Sequence, residues 1–147
     1  PSKRCLFSCA VLEKEIWLTG GAEDDPLSGK RVKDIHVLKA KADGWKNETP
    51  IPAEAWFKGE PMAACLQVLN GKLHIIGKAR TPKVEPFHSR LNEQATKEWE
   101  GQKVDGLTGW GANVALIYQL VNFKDQLLIG SATSYEEANT KFMVYIP

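Results

Sequence analysis

At 147 residues the chain is long enough for one domain, and two independent cores would be cramped. Apolar residues at 43% and charged residues at 25% match ordinary globular usage, which excludes a disordered chain, a collagen-like repeat and a disulfide-dense miniprotein. Nineteen Lys and Arg against 18 Asp and Glu leave a net charge of +1, so no electrostatic footprint for nucleic acid or an anionic membrane is present.

The first residues, Pro1-Ser2-Lys3-Arg4, run straight into strand-like sequence without an apolar signal core. This favours a cytoplasmic protein, although a secreted one with its signal trimmed would read the same. No run approaches the roughly 18 apolar residues that span a bilayer. The spacing predicts a strand over Cys5 to Leu12, a polar turn, and a second strand over Ile16 to Gly20. Val32 to Leu38 reads as a third strand, and the segment around Trp45 as a fourth. The same order returns: Ala63 to Leu69, an Asn70-Gly71 turn, Leu73 to Gly77, Phe87 to Gln94 and Trp99. Asn-Gly is the signature of a two-residue hairpin, because a type I′ turn needs positive φ at both central positions. A third round has Asn113 to Val121, Gln126 to Gly130 and Lys141 to Ile146, and the chain ends before another tryptophan strand. Cys5, Cys9 and Cys65 lack CxxC spacing and are expected to be buried, reduced thiols.

The period is regular. Gly20, Gly77 and Gly130 stand 57 and 53 residues apart, and Trp45 and Trp99 stand 54 apart. Such spacing marks repetition of one supersecondary unit that cannot bury its faces alone. The expectation is an all-β fold of eleven strands: two four-stranded units, at about 4–52 and 61–104, and an incomplete third at 112–147, forming a single domain.

The order Leu18-Thr19-Gly20-Gly21, then Val32-Lys33-Asp34-Ile35-His36-Val37-Leu38, then Trp45 followed by Pro50-Ile51-Pro52 resembles the kelch-repeat β-propeller family. The second repeat departs from it with Gly77-Lys78, and the third with Gly130-Ser131. The resemblance implies four-stranded blades in which glycines end the second strand, while Trp45 and Trp99 fill the space between blades. Propellers close with roughly 4–8 blades. Three are expected here, so the chain reads as half a propeller completed to six blades by homodimerisation. A chain that is half of a longer propeller, and a β-trefoil, are the rival architectures.

Alternation of strand direction predicts that the loops Ala22 to Arg31, Lys78 to Pro86 and Ala132 to Thr140 share one end with the inter-blade loops Pro52 to Pro61 and Val104 to Ala112. Trp56-Phe57-Lys58-Gly59 and Trp110-Gly111 recur there 54 residues apart. A rigid scaffold with long loops on one end suits recognition. The candidate ligand-binding residues are Trp56, Phe57, Lys58, Arg80, Trp110 and Asn113. Aromatic faces would stack on a sugar or side chain, and cations would hold carboxylates. The expected function is a non-enzymatic module binding a peptide, a protein or a lectin-like carbohydrate ligand, without cofactor or metal. Sealing of the gap between blades is the competing role for the two tryptophans. The alternative function is an enzyme at the mouth of the propeller shaft, with Glu23, Asp24, His88 or Glu136 as acid–base groups. His36 and His74 are expected to be ordinary strand histidines.

Overall fold

A computed structural model of the chain describes residues 3–24, 30, 32–41, 44–47, 51, 60–81, 83–102, 116–124, 126–132 and 140–145. These residues form eleven strands and no helix. In particular, no helix among them is long and apolar enough to cross a membrane. Arg4–Leu12 (β1), Glu15–Glu23 (β2), His36–Lys41 (β3) and Gly44–Asn47 (β4) form sheet 1. Glu60–Leu69 (β5), Lys72–Thr81 (β6), Lys83–Glu93 (β7) and Glu98–Gly101 (β8) form sheet 2. Leu116–Phe123 (β9), Gln126–Ala132 (β10) and Thr140–Tyr145 (β11) form sheet 3. Each sheet is an antiparallel meander in chain order. A β-trefoil would close strands from all its repeats into one barrel. Here the strands stay in three separate open sheets.

Tight turns join the first two strands of each sheet. Asn70 and Gly71 both have positive φ, 51° and 71°, as their type I′ signature requires. Glu13 and Lys124 take the same left-handed conformation in the equivalent turns. The glycines expected to end the second strands lie inside them instead. Gly20 and Gly21 have φ of 72° and 88°, yet β2 pairs onward until Glu23 meets Arg4. β6 continues past Gly77 to Thr81, and β10 past Gly130, where the register shifts. At position 20 it is the left-handed φ that favours glycine, since a Cβ there would stand at an ordinary contact distance, 3.6 Å, from the Ala64 carbonyl oxygen of β5.

Alternation sorts the side chains into faces. Ala10, Leu12, Trp17 and Val37 of sheet 1 pack on Leu66, Leu73, Ile75, Phe87 and Leu91 of sheet 2, and this is the main core. The other face of sheet 2 buries Cys65, Leu69 and Ile76. Leu127 and Ile129 of sheet 3, fully buried, share a face with Asn122, whose Nδ2 donates to the Val68 carbonyl of β5 at 3.2 Å. The Ser8 hydroxyl of β1 likewise accepts from the Leu66 amide of β5 at 2.8 Å. Strand β5 therefore lies between β1 and β9, and the three sheets stack face to face through their first strands.

Of the two expected inter-blade tryptophans, Trp99 on β8 is partly buried against the main core. Trp45 lies on β4, with its side chain outside the described residues. Cys65 is a buried cysteine outside any disulfide, and burial pushes its thiol up to about 11. Cys9 is free but exposed, contrary to expectation, because it lies on the face of sheet 1 turned away from sheet 2.

Candidate functional site

The meander order sends β1, β5 and β9 in the same direction, so the two-residue turns gather at one end of the stack. β2, β4, β8 and β10 stop at the other end and β5 and β9 start there, so the connections 48–59 and 102–115 join strand ends that lie there. Trp56, Phe57, Lys58, Trp110 and Asn113 belong to those connections and lie outside the described residues, as does Glu136. Arg80 is placed by its backbone alone. It sits near the end of β6, opposite Glu60 of β5 and Val84 of β7. The expected loop from Lys78 to Pro86 is a correction. Lys78 pairs with Pro86 and Arg80 with Val84, so the segment is a strand hairpin that extends sheet 2 toward that end.

The described part of the long-connection end is built on sheet 1. The Glu23 amide donates to Lys30 O at 2.9 Å and the Val32 amide to Gly21 O at 3.1 Å, which folds the chain back across the end of β2. Arg4 Nη1 reaches Gly20 O at 3.5 Å. Burial holds the Arg4 guanidinium below its ordinary value, opposed by the carboxylates of Glu23 and Asp34. Burial and the nearby Arg4 charge likewise lower His36, whose Nδ1 finds no hydrogen-bond partner among the described residues. Arg4, Glu23, Asp34 and His36 thus put two carboxylates, a guanidinium and a neutral imidazole at one corner of this end. Among the described residues no three His, Cys, Asp or Glu side chains converge as metal ligands would.

His74 and His88 stand elsewhere. They occupy β6 and β7 on the face of sheet 2 away from sheet 1, with Nδ1 of His74 and Nε2 of His88 at 2.8 Å and rings stacked at 5.1 Å. Burial, reinforced by the Arg90 charge, lowers His74 to about 4. Burial, then the neighbouring His74 and Arg90, lowers His88 to about 3. Both rings are neutral near pH 7, so one donates and the other accepts. His88 sits in mid-strand and takes no place at the mouth expected for an acid–base group.

A second polar constellation lies at the short-turn end and went unread in the sequence. Glu15, 7% exposed, accepts from Gln94 Nε2 at 2.8 Å and pairs with Lys39 at 3.0 Å and Lys97 at 3.5 Å. Lys97 also lies 4.4 Å over the Trp17 ring. Burial opposes ionisation of Glu15, but the hydrogen bonds from Gln94 and Lys39 and the lysine charges prevail, so its carboxyl lies below the usual range. With Glu13, Lys14 and Lys41, these groups line an open groove of about 680 Å³. Gln94, Lys39 and Lys97 all converge on Glu15, so the network clasps sheet 1 to sheet 2.

No protein-family model matches the chain, and no match is found among curated proteins.

Proposed function

We propose that the chain is a non-enzymatic binding module of the kelch-propeller type, completed to six blades by pairing of two copies. Its ligand is a peptide, a protein surface or a carbohydrate, taken at the long-connection end. One observation supports this reading: β4 and β8 end and β5 and β9 begin at the same end as the Arg4–Glu23–Asp34–His36 corner, while two-residue turns occupy the other. Trp56 and Trp110 would supply stacking faces for a sugar ring or an aromatic side chain. Phe57, Lys58, Arg80 and Asn113 would add apolar contact and polar direction.

Glycan and peptide arrays probed with the purified chain test the proposal, followed by titration of the best hit against Trp56→Ala and Trp110→Ala. Binding lost in both variants at unchanged melting temperature supports it. Melting lowered in both, with affinity of the folded fraction unchanged, makes the tryptophans packing residues and overturns this site.

A further inference from the structure

The stack of three sheets has two ends, and both are apolar. On the outer face of sheet 1, Phe7 and Val11 are 45% and 63% exposed, beside half-buried Ile16 and Leu18. On the outer face of sheet 3, Val121, Phe123 and Val144 are 40%, 54% and 55% exposed, beside half-buried Leu128.

The hairpins relate these faces to the interior. The pairs that close the first turn of each sheet are Leu12 with Glu15, Leu69 with Lys72, and Phe123 with Gln126. Counting back from them, Val11 takes the place of Val68, and Ile16 and Leu18 take the places of Leu73 and Ile75, which pack on sheet 1. Leu127 and Ile129, buried on the sheet 2 side of sheet 3, take those places in the third unit. Phe123 in turn takes the place of Leu12 and Leu69, both buried against the following sheet. Each open face is therefore one half of an interface that the chain already makes twice within itself. Bulk is balanced as well. The internal cluster has Trp17 on one sheet and Ala64 on the next, whereas the open faces carry Leu128 and Phe7 at those two positions.

We propose that the Val121–Phe123–Val144 face of sheet 3 docks on the Phe7–Val11 face of sheet 1 in a second copy of this chain, twice, closing a ring of six sheets. The inference rests on the propeller reading above and names its contact surface. A second copy covers both faces at once with the complementary half of each, and two-fold closure leaves neither end open. Cys9 lies between Phe7 and Val11 on the same face, exposed in one copy and covered in the pair.

Light scattering of the chain at micromolar concentration is expected to give twice 16.3 kDa, and Val11→Glu and Phe123→Glu are each expected to give a monomer with native near-ultraviolet dichroism. Cys9 alkylation, followed by peptide mass mapping, is the decisive reading. Phe123→Glu should speed it at least about tenfold, although residue 123 lies on another sheet, because the change uncovers the partner's Cys9. A folded wild-type monomer overturns the proposal. So does a dimer that survives both substitutions, or an open ladder of larger species. Array binding retained by the Phe123→Glu monomer leaves the binding function standing by itself. A closed dimer that binds nothing on the arrays removes that function and keeps the interface.

Discussion

Trp17 and Trp99 meet edge to face across two sheets, with ring centroids 6.3 Å apart and planes at 75°. Trp17 is fully buried on β2, and Trp99 reaches it from the outermost strand of sheet 2. This contact ties the outer strand of one sheet to the second strand of its neighbour, and edge-to-face geometry is the favoured arrangement for such rings.

Trp17→Ala is expected to lower stability by about 3–5 kcal/mol in urea denaturation, the range for a buried large aromatic. Trp99→Ala should cost less, because its ring is only partly buried. The double mutant should be destabilised by about 0.5–1.5 kcal/mol less than the sum of the single changes. Strict additivity would mean that the rings do not interact in solution.

Acid should unfold the protein through its histidine pair. His74 and His88 fall to about 4 and about 3 in the folded chain from an ordinary 6.5. Between those values the unfolded chain binds protons that the folded chain refuses, so stability falls as pH drops from 6.5 toward 3. Replacing both histidines with glutamine should flatten that limb of the stability–pH curve. Cys65 works in the other direction: its thiol rises from 9.0 to about 11, so stability is lost as pH climbs through that interval.

Removing the carboxylate at position 15 should loosen sheet 1 from sheet 2. Glu15→Ala leaves Lys39, Gln94 and Lys97 without their common acceptor, and hydrogen bonds to a charged group are worth about 1.5–3 kcal/mol each. A loss of at least about 1.5 kcal/mol is expected in urea melts, with restricted salt dependence because the carboxylate is shielded. A loss that vanishes in moderate salt would make the network a solvated surface cluster.

Trp56→Ala and Trp110→Ala should each weaken ligand binding at least about tenfold, or 1.4 kcal/mol, as expected for a stacking hot spot. Titration calorimetry and thermal melting on the same samples check this. Equal affinities for wild type and both variants would move the site away from the tryptophan connections.

Local patterns carried most of the strand order. Period-two alternation and the Asn70-Gly71 turn are short-range signals, and each central hairpin appears where they place it. Strand ends were harder to read. Gly20 and Gly21 look like terminators, yet β2 absorbs their positive φ and continues, because Arg4 and Cys5 still offer pairing partners. Lys78 to Pro86 looks like a polar loop, but backbone pairing is indifferent to the charge of side chains at a sheet's end. The Glu15 network was invisible for a different reason. Gln94 lies 79 residues from Glu15, and only the stacking of sheets brings them together. Trp17 likewise passed as one member of an apolar strand, since burial between sheets leaves no local mark. The candidate binding residues were proposed from their repeat spacing, and apart from the backbone of Arg80 they lie outside the described residues.

Because β5 touches both β1 and β9, sheet 2 is, among the described residues, the only one of the three whose two faces are covered. Cooperativity in such a linear array is carried by neighbours, and either outer sheet can open while the other two stay joined. Amide exchange should therefore be graded along the stack rather than uniform. It should be slowest at Ile75 and Ile76 in the middle strand pair and faster at Val11 and Val121 on the outward faces. In a closed ring that gradient disappears, since no sheet is then an end, and the flattening of exchange with concentration becomes a direct reading of how firmly the copies hold one another.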